Sequence, residues 1–294
     1  GKVMEKFSND GKVTVLAKKN GGKASALNYG IAACKTDFVV CVDADTQLQA
    51  DAVSRLMKHF IADEAGRVGA VAGNVKVGNQ RNMLTYWQAI EYTTSQNFDR
   101  MAYSNINAVT VVPGAIGAFR KKALEEVGGF TTDTLAEDCD LTMSINEHGY
   151  VIENENYAVA MTEAPETVRQ FVKQRIRWSF GVMQTFWKHR SSLFARSKGG
   201  FGLWAMPNML IFQYIIPTFS PLADILMLLG LFTGNAWQIF LYYLLFLLVD
   251  ASVSIMAYIF EHERLWVLLW IIPQRFFYRW IMYYVLFKSY LKAI

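Results

Sequence analysis

Phe38-Val39-Val40-Cys41-Val42-Asp43-Ala44-Asp45 is the stretch on which the fold turns. Five apolar residues in a row, bounded by polar ones, suit a strand covered on both faces, as in the interior of a parallel sheet. Two carboxylates follow at its end. At positions i and i+2 of an extended chain they point to one side. Their mutual repulsion calls for a cation or hydrogen-bond donors between them. A hard divalent ion with oxygen ligands, Mg²⁺ or Mn²⁺, fits a pair placed beyond the carboxyl end of a strand, where open α/β sheets bind ligands. Taken alone, Asp43 and Asp45 are equally well explained as a solvated turn with a helix cap.

Upstream of this stretch, residues 13–17 read as a short strand and residues 24–34 as a helix with Leu27 and Ile31 at i, i+4. Downstream, residues 50–60 form an amphipathic helix, 68–77 a strand and 80–101 a long helix. A strand at 109–112 is broken by Pro113-Gly114, and a short helix at 120–127 stops at Gly128-Gly129. A helix at 139–148 ends at Gly149, and 151–160 is one more strand. Strands alternating with helices give an α/β class with a mostly parallel sheet.

Hydrophobic residues make up 53% of the 294 and charged residues 18%, but these averages mix two regions. Charges are spread through the first 200 residues or so and nearly vanish beyond Phe201. Apolar stretches at 203–232, 237–260 and 265–287 each approach the roughly 20 residues that cross a bilayer. The chain therefore divides into an α/β domain (1–165), an amphipathic interfacial helix region (166–200) and transmembrane helices (201–294). Lys188, Arg190, Arg196 and Lys198 precede the first apolar stretch, which predicts that the α/β domain faces the cytoplasm of a multi-pass inner-membrane protein. Asp250 lies inside an apolar stretch, with Arg275 and Arg279 as candidate partners. A net charge of +4 gives no reason to expect nucleic acid. Cys34, Cys41 and Cys139 lack metal-site spacing and read as buried free thiols. His59, His148, His189 and His262 read as surface or helix-end residues.

Three further clusters carry chemistry. Asn20-Gly21-Gly22-Lys23 lies between a strand and a helix; glycines let the backbone approach a ligand, a helix N-terminus favours anions, and Lys23 is placed to contact a phosphate. Glu137-Asp138-Cys139-Asp140 opens a helix. Capping accounts for one acid there more readily than for three, which leaves one free to act as a general base. In Gln174-Arg175-Ile176-Arg177-Trp178, residues Gln174, Arg177 and Trp178 share a helix face. Arg177 suits a phosphate and Trp178 a sugar ring, although a membrane-surface helix needs the same residue types.

Taken in order, Gly22-Lys23-Ala24 with Ala26-Leu27-Asn28, Asp43-Ala44-Asp45, Gly128-Gly129-Phe130, Glu137-Asp138 and Gln174 to Trp178 resemble the membrane-bound, processive family 2 glycosyltransferases. These include the synthases of cellulose, chitin, hyaluronan and poly-β-1,6-N-acetylglucosamine, and the tail around Gln274-Arg275-Phe276 is most similar to the last. The resemblance covers residues 13–190. It implies a GT-A-like fold, a UDP-sugar donor (UDP-N-acetylglucosamine), a divalent cation, a growing β-linked polysaccharide as acceptor, and a place for accessory membrane subunits. It implies that Lys23, Asp43, Asp45, Gln174, Arg177 and Trp178 bind the donor, with Asp45 on the metal. Asp138 would be the catalytic base, and Gly114 with Trp178 would line the acceptor site. The family's domain opens with a strand bearing an acidic uracil-binding residue. Nothing before Val13 matches it, so an N-terminally truncated domain is expected. Transfer of a single sugar to a lipid acceptor, and a catalytically silent nucleotide-sugar-binding subunit, are the competing readings.

Overall fold

The computed structural model describes residues 12–232 and 234–293. Its centre is a five-stranded sheet in the order β1-β4-β3-β5-β2, built from β1 (Phe38–Cys41), β2 (Gln47–Leu48), β3 (Val68–Val77), β4 (Gly117–Arg120) and β5 (Val151–Thr162). β3 pairs parallel with β5, whereas the β1–β4, β3–β4 and β2–β5 pairings are antiparallel. The sheet is therefore mixed rather than mostly parallel. The difference comes from two short strands: β4, four residues long, inserts antiparallel between β1 and β3, and β2, two residues long, pairs antiparallel with β5 at the opposite edge.

The strand covered on both faces is β3, not β1. Nine of its ten residues are buried, with Val71, Val75 and Val77 in one core cluster and Ala70 and Ala72 in the other. β1 alternates half-buried and buried residues at the edge of the sheet. Two expected strands do not form. Residues 13–17 have no ladder partner among the described residues, and Val13, Val15 and Leu16 stay exposed. Residues 109–112 form no strand; Val109 and Val112 are buried, and side chains take the place of a ladder: Asn146 Nδ2 donates to Val109 O at 2.8 Å and Val112 N donates to Thr142 Oγ1 at 2.8 Å. Burial against a helix satisfies these backbone groups as well as a neighbouring strand would.

The helices fall close to expectation. α1 (Gly22–Ala33) precedes β1, and α2 (Ala52–Ala62) lays Ala52, Leu56 and Phe60 onto the sheet. α3 (Met83–Glu91) starts at an Asn82–Thr85 capping box and continues through a π-helical turn (Tyr92–Asn97) into α4 (Phe98–Ser104). α5 (Lys121–Val127) stops at Gly128, whose φ of 81° suits glycine. α6 (Glu137–Glu147) and α7 (Val168–Lys188, capped by Thr167) complete the domain.

Beyond it lie α8 (Phe201–Gly230) and α9 (Ala236–Phe260), both long and apolar enough to cross a membrane and both largely unburied. α8 contains two π-helical turns, and Pro217 and Pro221 lie beyond them, the usual causes of local bending. Its start is packed under the domain, where Phe201, Met206 and Met209 join Cys139 and Met143. The far end of α9 returns to the domain: Asn74 Nδ2 donates to the buried Glu261 carboxylate at 2.5 Å, and Lys76 Nζ lies 2.6 Å from Glu263 Oε1. α8 and α9 thus form a hairpin whose two open ends both sit on the α/β domain. The third apolar stretch, α10 (Ile271–Ala293), is broken by charges and is not of the same apolar kind. Its early turns pack on α3 and α7 through Gln274 and Tyr278. Arg275 Nε pairs with Asp250 at 2.8 Å and Arg279 with Asp224 at 3.0 Å, so both arginines have acidic partners on the hairpin.

Candidate active site

Four segments converge just beyond the carboxyl end of β1. Asp43 leaves the strand and turns back, with Thr46 N–H donating to Asp43 O at 3.1 Å. Because β1 ends at Cys41, Asp43 and Asp45 lie in a turn, and strand alternation does not govern their directions. Lys23, in the first turn of α1, reaches across to Asp43 Oδ1 at 2.6 Å and to Glu137 Oε1 at 3.4 Å. Asp138, one residue into α6, accepts from its neighbour Cys139 N–H at 2.8 Å and from Gly114 N–H at 3.4 Å. Gly114 lies at the centre of these groups: a Cβ at this position would sit 2.5 Å from Lys23 Nζ, displacing the end of that side chain, and 3.5 and 3.6 Å from carboxylate oxygens of Asp43 and Asp138. Lys23, Asp43, Gly114, Glu137 and Asp138 are therefore one cluster.

Its electrostatics are uneven. Burial, together with the charge of Glu137, raises the Asp138 carboxyl above the usual range, and Lys23 offsets this only in part. Burial disfavours the Lys23 ammonium, but its hydrogen bond to Asp43 and the charges of Asp43, Glu137 and Asp138 outweigh that and raise its pKa. Cys41, on the floor of the same pocket, has its thiol pushed up to about 11 by burial, so it is an unreactive wall. Cys139 is likewise buried, whereas Cys34 is exposed, contrary to expectation.

Asp45 is exposed and makes no hydrogen bond or ion pair among the described residues. A hard cation fits there. No group of three or more acidic, histidine or cysteine ligands occurs among the described residues, so Asp45 and its neighbours would supply one or two oxygens. Diphosphate and water would fill the remaining positions, as is common for Mg²⁺.

α7 lies over the segment that leads into Glu137. Gly181 makes this possible, since a Cβ there would meet Ala136 N at 2.6 Å, and Gln184 Oε1 accepts from Leu135 N–H at 3.1 Å. Half-buried Trp178 packs on the core cluster that contains Tyr92, Ala115 and Ile116, one residue on from Gly114. Arg177 is exposed, and the half-buried Gln174 has a buried Oε1 with no donor. None of Gln174, Arg177 and Trp178 bonds to the Lys23–Asp138 cluster, and of the three only Trp178 packs on the core cluster that includes Ala115 and Ile116.

Sequence reasoning missed two groups. Arg175 is buried and pairs with Glu91 at 2.7 Å, and Tyr278 also donates to Glu91. Asp140, fully buried on the far face of α6, is clamped by His189 at 3.0 Å and Lys188 at 2.9 Å, while His189 also contacts Glu147 at 2.9 Å. His189 does stand at a helix end, but it is buried rather than a surface residue. An acid-rich helix start followed some fifty residues later by Lys188-His189 was the only available signal, and it fixes no contact.

A mixed sheet carrying a lysine–carboxylate cluster at the end of an edge strand, and continuing into apolar helices, is the architecture of a GT-A-like glycosyltransferase. The chain belongs to glycosyl transferase family group 2, whose profile matches residues 38–250. It is 34% identical over 173 residues to a poly-β-1,6-N-acetyl-D-glucosamine synthase of Staphylococcus aureus, a match that covers 59% of this chain and 42% of that one. A synthase of the same name from Staphylococcus epidermidis is 33% identical over 172 residues. The matched region spans about two-fifths of these relatives. Among solved structures, a mannosyltransferase from Pyrobaculum calidifontis, in complex with GDP-mannose and Mn²⁺, superposes with a TM-score of 0.59 at 20% identity. That comparison covers 94% of this chain and 74% of the other, and it bears on the fold alone.

Proposed function

We propose that the chain is the catalytic part of a processive, inverting synthase. It would transfer N-acetylglucosamine from UDP-N-acetylglucosamine to a growing β-linked polysaccharide at the cytoplasmic face of the membrane. The observation that carries this reading is the cluster of Lys23, Asp43, Gly114 and Asp138, with Trp178 packed on the core cluster that includes Ala115, in a chain whose relatives are polysaccharide synthases.

On this reading Asp138 is the base. It takes the proton from the acceptor hydroxyl as that oxygen bonds to the anomeric carbon and the bond to the diphosphate breaks in line, which inverts the configuration. Its raised pKa makes it a stronger base than an ordinary aspartate. Lys23 and Asp43 hold the nucleotide end of the donor. Arg177 and Gln174 receive the diphosphate, with the guanidinium compensating the charge that develops there. Gly114 leaves room for the acceptor, and Trp178 stacks on its terminal sugar. A divalent cation at Asp45 would supply charge stabilisation to the leaving diphosphate. The α8–α9 hairpin enters and leaves the bilayer on the side of the α/β domain, which keeps the site at one membrane face while the product grows away from it.

The test is to incubate membranes containing the full-length protein with labelled UDP-N-acetylglucosamine and to analyse product length and linkage. Long β-linked N-acetylglucosamine chains are expected. A product extended by one sugar would end the processive reading, and labelling from a different donor only would end the donor assignment.

A further inference from the structure

We propose that Arg175 is a positioning residue for sugar transfer, setting the plane of the Trp178 ring and tying it to α10. The proposal rests on Trp178 being the acceptor-contacting residue of the preceding reading.

The geometry is specific. Arg175 is 5% exposed, and its guanidinium lies 4.6 Å from the centroid of the Trp178 ring and 5.0 Å from that of Phe171. A guanidinium placed over a ring face at this distance is attracted to that face, which an aliphatic contact is not, and so favours one placement of the ring. Nη1 donates to Glu91 Oε1 at 2.7 Å, and the other Glu91 oxygen accepts from the Tyr278 hydroxyl of α10. One carboxylate thus joins α3, α7 and α10, immediately before the π-helical turn at Tyr92–Asn97. Trp178 keeps part of its ring open and rests on the cluster containing Tyr92 and Ala115, next to Gly114.

For stability alone this is a poor arrangement. Nε and Nη2 of Arg175 are buried without an acceptor, which is a cost. Apolar residues of similar volume in place of such a buried pair often hold a fold as well or better. A planar cation kept in that place is explained by what it does to the ring beside it.

The test is a double-mutant cycle in the full-length protein. Arg175→Lys keeps the positive charge that Glu91 needs and removes the plane. It is expected to leave KM for UDP-N-acetylglucosamine within about twofold and to lower kcat for chain extension by roughly ten- to a hundredfold, the scale of a misplaced reacting group. In a Trp178→Ala background the same change should have little further effect, because the ring it orients is gone. Should the lysine variant unfold, Glu91→Gln with Arg175→Gln removes both buried charges together and carries the same cycle. Losses that multiply, or a raised KM with kcat intact, would overturn the proposal. A Trp178→Ala enzyme that extends chains normally would instead overturn the reading beneath it, and the proposal with it.

Discussion

Asp138 and Asp140 stand two residues apart on α6 and behave in opposite ways. Asp140 is fully buried, yet hydrogen bonds from His189, Thr131 and Lys188 outweigh its burial and hold its carboxyl down to about 2. Asp138 faces the other way, receives two backbone N–H groups, one of them distant, and shares the Lys23 ammonium with Asp43 and Glu137, with the buried Arg100 guanidinium as a further charge acting on it. Its pKa rises. Burial alone therefore does not set the direction of the shift: of the two, the more deeply buried acid is the one held low. What distinguishes them is whether the compensation is complete: a saturated carboxylate holds two helices together, and an under-compensated one is ready to take a proton.

The largest effect should follow from removing the under-compensated acid. Asp138→Asn is expected to lower transfer by about 10²–10⁴-fold, the usual contribution of a positioned base, while sparing UDP binding. Because an ionised Asp138 is costly to bury, this variant should melt no lower than the native protein. Normal turnover would remove Asp138 as the base, and a clear loss of stability would put it in the same class as Asp140. The pH profile offers a second check: since the base must be ionised, activity should fall with acidification at a pH above the ordinary aspartate range.

The saturated acid predicts the reverse pattern. His189→Ala leaves the buried Asp140 carboxylate with Lys188 and Thr131 but without its histidine partner, so the loss should fall short of the about 3–5 kcal/mol typical of a buried charge left wholly unpaired. Denaturant titration of the membrane-extracted protein would measure it, and turnover per folded molecule should stay near native. A smaller effect belongs to Asp45, which has no hydrogen-bond or ion-pair partner among the described residues to lose. Asp45→Ala should leave folding untouched and weaken only the cation-dependent part of UDP binding, as calorimetry with and without Mn²⁺ would show. An unchanged cation dependence would move the metal to other ligands.

The two acids also show how far a sequence can be read. Residues at strand ends and helix starts were legible because local pattern alone puts them there: Asp43 after an apolar run, Lys23 in a glycine turn, Asp138 at the head of α6. The β3 strand and the stop at Gly128 were legible for the same reason. What escaped depended on contacts between residues far apart in the chain. β4 and β2 are too short to show an alternation, and their antiparallel pairings give the sheet its mixed character. Residues 109–112 look like a strand and are held by Asn146 and Thr142 instead. Nothing near Arg175 in sequence announces Glu91 or Tyr278. Asp140 is one of three acids, and its contacts with Lys188 and His189, nearly fifty residues on, set it apart.

The smallest expected effect is a pH dependence that belongs to the clamp and not to the site. Burial alone would lower the His189 pKa, but hydrogen bonds to Asp140 and Glu147 raise it from 6.5 to about 9. A histidine raised in the folded state contributes its full stabilisation below 6.5, and that contribution is lost as pH rises through about 9. Asp140 works in the other direction: its contribution is complete above 3.8 and is lost as pH falls through about 2. Both are whole between about pH 4 and 6.5. Melting temperature on the clamp's account should be flat across that window and decline towards pH 9. His189→Gln, which cannot carry the charge, should abolish the decline while lowering the plateau. If the native and variant curves ran parallel above pH 6.5, His189 would be neutral in the folded protein, and the contrast between the two faces of α6 would rest on Lys188 instead.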